Sequence, residues 1–186
     1  NGQPVFKRNY DFVAGKQRIL KDTMWLNENE VLIFEGIHGL NPLIHEGMAK
    51  ESYTTVYISA LTQLNIDNTH PVSTSDARLI RRIVRDYNYR GYSADDTINR
   101  WNSIRHGELN NIFPFQEQAA FMFNSALMYE LSVLKRYALP LLKSAAKGTI
   151  RDRLITLLSL FHSIPDRHVP GTSILREFIG KSYFTY

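Results

Sequence analysis

From Ser75 to Tyr89 apolar and charged residues alternate with a helical period. Leu79, Ile80, Ile83, Val84 and Tyr87 share one side, while Arg78, Arg81, Arg82 and Arg85 recur at i, i+3, i+4 and i+7 on the other. The spacing predicts a helix from Thr74 to Tyr89 with a packed face and a face of guanidinium groups. Ser93, with Asp95 and Asp96 in the turn that follows, predicts the start of a second helix reaching past Trp101 to His106. Strands are predicted at Gln17–Leu26, Val31–Phe34, Tyr53–Ser59 and Ala120–Phe123, with a turn at Asn27-Glu28-Asn29. The Val31–Phe34 run is continuously apolar and stops at Glu35-Gly36, the pattern of a buried parallel strand. Ser125–Tyr137 predicts a helix closed before Pro140. Lys143–Gly148 reads as a linker, and Arg151–Phe161 regains an apolar helical pattern. A Pro-containing loop and the segment Ser173–Gly180 follow. No internal repeat or low-complexity segment is present.

The 186 residues are 44% hydrophobic and 22% charged, enough for one globular domain with a substantial core and unlike a disordered chain. The net charge of +4 is modest and concentrated on the arginine helix. It suits a small anionic ligand at least as well as a polyanion, so a nucleic-acid partner is not expected. Without cysteine there is neither a disulfide framework nor a thiolate metal site. The chain has no apolar run of the roughly 18 residues a membrane span needs and no signal-peptide pattern at its start. A cytoplasmic location without a membrane partner is the expectation; a homo-oligomer stays open.

Arginine stays ionised and presents five fixed donors, which match phosphate oxygens. A row of four, with Arg90 just beyond, has the reach to follow a triphosphate. A solvated charged face and a nucleic-acid stripe are the alternatives that charge alone leaves standing.

The stretch Ser75-Asp76-Ala77-Arg78-Leu79-Ile80-Arg81-Arg82-Ile83-Val84-Arg85-Asp86, ending in Arg90-Gly91, resembles the lid segment of the phosphoribulokinase/uridine kinase family. Asn9-Tyr10-Asp11-Phe12 resembles that family's acceptor-site element, and Val31 to Gly39 resembles its second phosphate-site strand, where an apolar run ends in Glu-Gly. Three matches in order, over residues 1–142, are more specific than any one. Trp101 to Glu108, Ile112 to Glu117 and the tail resemble a bacterial subgroup whose kinase domain follows a threonyl-tRNA-synthetase-like region.

The resemblance implies an α/β P-loop kinase-like fold, a parallel sheet flanked by helices, N-terminally truncated and with a helical C-terminal extension over 143–186. It implies ATP-dependent phosphoryl transfer to a hydroxyl of a nucleoside or related small molecule, with Mg²⁺ bridging the phosphates. Glu35 would hold Mg²⁺ or its waters; Arg85 and Arg90 would grip nucleotide phosphates and act in catalysis with Glu35. Arg82 would face the acceptor and Tyr10 would lie against it, although a core tyrosine is an equal reading. Asp76 and Asp86 are expected to orient the stripe by helix-local ion pairs, with Arg78 and Arg81 serving salt bridges. His38 and Trp101 read more readily as structural residues.

Gly15, Tyr92 and Arg100 stand where the resemblance would place base-reading groups, which puts pyrimidine specificity in doubt. Arg100 is then a candidate contact for a differently shaped or anionic acceptor. The chain contains no Gly-x-x-x-x-Gly-Lys-Ser/Thr, since Gly180-Lys181-Ser182 lacks the upstream glycine. The resemblance therefore makes it the C-terminal part of a kinase, expected to be inactive alone. A sugar-phosphate kinase, suggested by Glu35-Gly36-Ile37-His38-Gly39, and a non-catalytic nucleotide- or RNA-binding module are the alternatives.

Overall fold

The computed structural model describes residues 3–11 and 15–184 and divides into two compact units, 1–39 and 40–186. It is a mixed α/β structure.

In the first unit β1 (Val5–Asp11) pairs antiparallel with β2 (Lys16–Met24), Tyr10 opposite Gln17 and Asp11 opposite Lys16. Gly15 enters β2 at φ 64°, a left-handed conformation that a side chain disfavours. The ladder shifts register between Phe6 and Arg8. Beyond β2 the chain is irregular, and here the expectation fails: Val31–Phe34 is not a strand. Val31 is 89% and Ile33 86% exposed. A parallel strand is held by ladders to its neighbours, and among the described residues of this unit only β1 and β2 pair. Apolar composition does not supply a pairing edge. Glu35 is exposed beside a tight turn closed by the Gly39 amide donating to the Gly36 carbonyl at 2.9 Å.

In the second unit β3 (Val56–Ser59) and β4 (Phe121–Asn124) pair in parallel, Val56 opposite Phe121 and Ser59 opposite Asn124. The Asn124 side chain extends the pairing, donating to the Leu61 carbonyl and accepting from its amide, both at 2.9 Å. β3 is shorter than its predicted segment and lies within it, whereas β4 has the predicted length, shifted by one residue. The core is built by helices: α1 (Thr74–Arg90), α2 (Ala94–Asn111), α3 (Glu130–Ser144), α4 (Thr149–Ser159) and α5 (Arg176–Ile179). Leu79, Ile80 and Ile83 of α1, Leu131, Leu134 and Leu142 of α3, and Leu154 and Leu158 of α4 are fully buried together.

Ser73 caps α1, and Gly91 at φ 68° ends it in the left-handed conformation that suits glycine. Ser93 and Asp96 form a capping box at the start of α2: the Asp96 amide donates to the serine hydroxyl at 3.1 Å and the Ser93 amide to the aspartate at 3.0 Å. α2 runs five residues beyond the predicted His106, to Asn111. α3 begins later than predicted and runs through Pro140, correcting the expected stop. Proline removes one backbone donor there, but Leu134, Ala138 and Leu142 on either side are fully buried, and that packing outweighs the lost bond. The link between α3 and α4 is reduced to 145–148, where the Ala146 amide donates to Asp95 at 3.0 Å. Among the described residues no helix is long and apolar enough to cross a membrane.

Candidate anion-binding site on the arginine helix

The arginines of α1 do not form one uniform face. Arg81 is 6% exposed, its guanidinium ion-paired with Glu130, donating to the Ser125 carbonyl at 2.7 Å and lying 5.2 Å from the centre of the Phe178 ring. Arg78 makes a two-pronged ion pair with Glu108 of α2, which also accepts from Arg105 at 3.2 Å. Both follow the expected salt-bridge role. Their partners lie 30 and 49 residues away, beyond any helix-local spacing. Tyr87, predicted on the packed face, is exposed instead, because the apolar stripe ends at Val84. Asp76 departs too: it pairs with Arg153 of α4 through two bonds of 2.9 Å rather than with its own helix.

Asp86 behaves otherwise. Its carboxylate, 3% exposed, pairs with Arg85 at 2.8 Å, with Arg82 at 3.2 Å and with Arg90 at 3.6 Å. Arg82 and Arg90 flank it at i−4 and i+4, so one turn of helix on each side brings the three cations to a single anion. Three guanidinium groups thus share one carboxylate on a partly buried surface. Burial lowers the Arg82 pKa from its ordinary value, with Asp86 and Glu108 opposing and Arg85 and Arg90 adding to the effect. The guanidinium stays charged but is partly desolvated, a condition in which a hydrogen-bonded oxyanion is favourable.

Arg100 is exposed and stacks over the Tyr92 ring at 4.3 Å. The Tyr92 amide donates to the Asp86 carbonyl at 3.2 Å, so this stack follows directly from the end of α1. Two positions that depart from the resembled pattern are thus in contact with each other. Tyr10 lies in β1 of the other unit, its side chain outside the described residues; Phe12 of the Asn9–Phe12 motif also falls outside them. Glu35 also belongs to the first unit.

Arg82, Arg85 and Arg90 present several planar donors beside one fixed carboxylate that holds their spacing, the chemistry an oxyanion takes. Among the described residues no three carboxylate or imidazole groups come together, so for Mg²⁺ Glu35 would supply a single carboxylate, with substrate phosphates and water as the other ligands. Glu108 and Glu130, which anchor Arg78 and Arg81, were not singled out from the sequence; only the i,i+3 pair Arg105–Glu108 carried a local signal.

A profile of the Phosphoribulokinase / Uridine kinase family matches residues 1–131. Uridine kinases from two strains of Clostridium perfringens are each 30% identical over 105 residues, covering 56% of this chain and 41% of theirs. The chain thus spans about two-fifths of the length of these curated relatives. No solved structure matches. With the family profile extending over most of the chain and through α1, the chain belongs to the phosphoribulokinase/uridine kinase family.

Proposed function

We propose that this chain supplies the phosphate-gripping and acceptor-facing parts of a kinase that transfers the ATP γ-phosphoryl group to a hydroxyl of a nucleoside or related ribosyl compound. The observation that carries the reading is the convergence of Arg82, Arg85 and Arg90 on Asp86. In the transfer, the acceptor oxygen bonds to the γ-phosphorus, the bridging bond to ADP breaks, and the hydroxyl proton passes to a base. Charge spreads over the phosphoryl oxygens, and preorganised guanidinium groups stabilise it without rearranging.

In this reading Arg85 and Arg90 hold nucleotide phosphates and Arg82 turns toward the acceptor. Tyr10 lies against the acceptor, and Glu35 takes Mg²⁺ or its waters. Residues 1–142 act as the kinase portion and 143–186 as its extension. No stretch of these residues provides the Gly-rich phosphate loop, so the expectation is that the 186 residues alone turn over no ATP. Arg100 stacked on Tyr92 favours an acceptor other than a free pyrimidine nucleoside.

The test is ADP formation by the full reading frame with a panel of nucleosides and sugar phosphates. Arg85→Ala should lower kcat/KM on the order of a hundredfold, the usual cost of losing a transition-state contact. Uridine should be a poor acceptor beside the best of the panel. Absence of phosphoryl transfer to any acceptor, with oligophosphate binding intact, would make this a binding module instead.

A further inference from the structure

The cluster around Asp86 sits where α1 has run out of apolar anchoring. Leu79, Ile80, Ile83 and Val84 are at most 1% exposed, but no apolar side chain after Val84 in this helix is buried. The last turn, which carries Arg90 and flanks Asp86, is touched instead by the C-terminal segment. The Asn88 side-chain amide donates to the Phe178 carbonyl at 2.9 Å. The Tyr89 hydroxyl lies close over Gly180, where even a methyl group would meet it at 3.3 Å. Seven residues earlier than Asn88, on the same side of the helix, Arg81 meets the Phe178 ring.

Phe178 is itself held firmly. It is 7% exposed, on an α5 whose Arg176 is buried and donates to the carbonyls of Val169 at 2.6 Å and Asp166 at 2.8 Å. Those bonds fasten α5 to the preceding loop, so the Phe178 carbonyl is a fixed point rather than a loose end.

We infer that residues 178–180 are positioning residues for anion binding, fixing the last turn of α1 through Asn88 and Tyr89 so that Arg85 and Arg90 converge on Asp86. The inference rests on the phosphate-gripping role of that cluster. Three like charges repel, and a helix end without apolar anchoring frays under that repulsion. The Asn88 bond keeps the turn wound from the side that also carries Arg81 and Arg85, while Asp86 and Arg90 lie farther round the helix. The C-terminal segment then sets how well the site is organised without touching the anion.

Asn88→Ala in the full chain separates this from a merely structural role. Alanine is the better helix former, so helix content and the urea midpoint should hold or rise. Affinity for inorganic tripolyphosphate, followed by calorimetry, should nevertheless fall about fivefold, the worth of one ordered hydrogen bond. Phe178→Leu keeps the carbonyl and removes the ring, and should leave that affinity within about twofold, since the bond rather than the ring holds the last turn. Arg85→Ala serves as the reference. If it weakens binding while Asn88→Ala does not, the positioning role is overturned and the arginine site stands. If Arg85→Ala binds as tightly as the unaltered chain, both fall. A larger loss in Phe178→Leu than in Asn88→Ala also overturns the assignment to the last turn.

Discussion

At Asp86 one buried carboxylate faces three guanidinium groups, whereas at Glu108 one carboxylate faces two, and the two sites should respond differently to substitution. Asp86→Asn removes the carboxylate that Arg82, Arg85 and Arg90 share. It should cost roughly 1–3 kcal/mol in urea unfolding, below the full penalty of a buried pair because the arginines keep contact with water. Arg78→Ala leaves Glu108 its bond from Arg105 and should cost about 1 kcal/mol or less, with tripolyphosphate affinity unchanged. Equal losses of affinity for Arg78→Ala and Arg85→Ala, both steep in salt, would instead fit a stripe that binds polyanions indiscriminately. Asp96 gives a pH signature. The Ser93 hydroxyl and amide, with Arg100 adding, hold its carboxyl below the ordinary value of 3.8. A depressed carboxyl contributes stability that is present above its unfolded pKa and lost as pH falls through the folded one. Asp96→Asn should therefore unfold more readily than the unaltered chain at pH 7. The two should converge by about pH 2 in acid titrations followed by circular dichroism.

Among the elements, α1 is defined by which carboxylate each arginine meets rather than by its own periodicity. Arg81 falls on the predicted basic face yet is buried, because Glu130 at the start of α3 and the Ser125 carbonyl supply partners inside. Glu130, 1% exposed, is equally dependent on Arg81. Glu130→Ala would strand a buried guanidinium and should destabilise by about 3–5 kcal/mol in urea unfolding. A cost under 1 kcal/mol would show that water reaches Arg81 and that this pair does not fix α1 against α3. α3 itself shows tertiary packing overriding a local breaker, since Pro140 sits within a helix whose inward face is fully buried. α5 is only four residues long and has no independent helical stability; the Arg176 bonds and the burial of Phe178 and Ile179 hold it.

For the molecule as a whole, stability is concentrated in the unit spanning residues 40–186, where the helices share one core. The α4 and α5 helices of the tail add Leu154, Leu158 and Phe178 to that core. Ile83→Ala, at a fully buried position, should cost about 2–5 kcal/mol by chemical denaturation. Ile33→Ala, at an exposed position, should lie within about 0.5 kcal/mol. A cost of 2 kcal/mol or more at Ile33 would restore the buried-strand reading of Val31–Phe34.

Periodicity and capping chemistry by themselves determined α1, the start of α2, β2 and most of β3 and β4, because those signals are carried within a few residues. Three short motifs in order likewise pointed to the family that the matching profile shows. Only the tertiary structure decided the rest. A run such as Val31–Phe34 has the composition of a buried strand whether or not a neighbour pairs with it, and pairing is a long-range property. The sorting of arginines was equally hidden. Arg81 and Arg82 are adjacent in sequence and chemically identical, and one is buried against Glu130 while the other shares Asp86. Charge has a long reach but no address: which carboxylate a guanidinium meets is set by the packing of helices far apart along the chain.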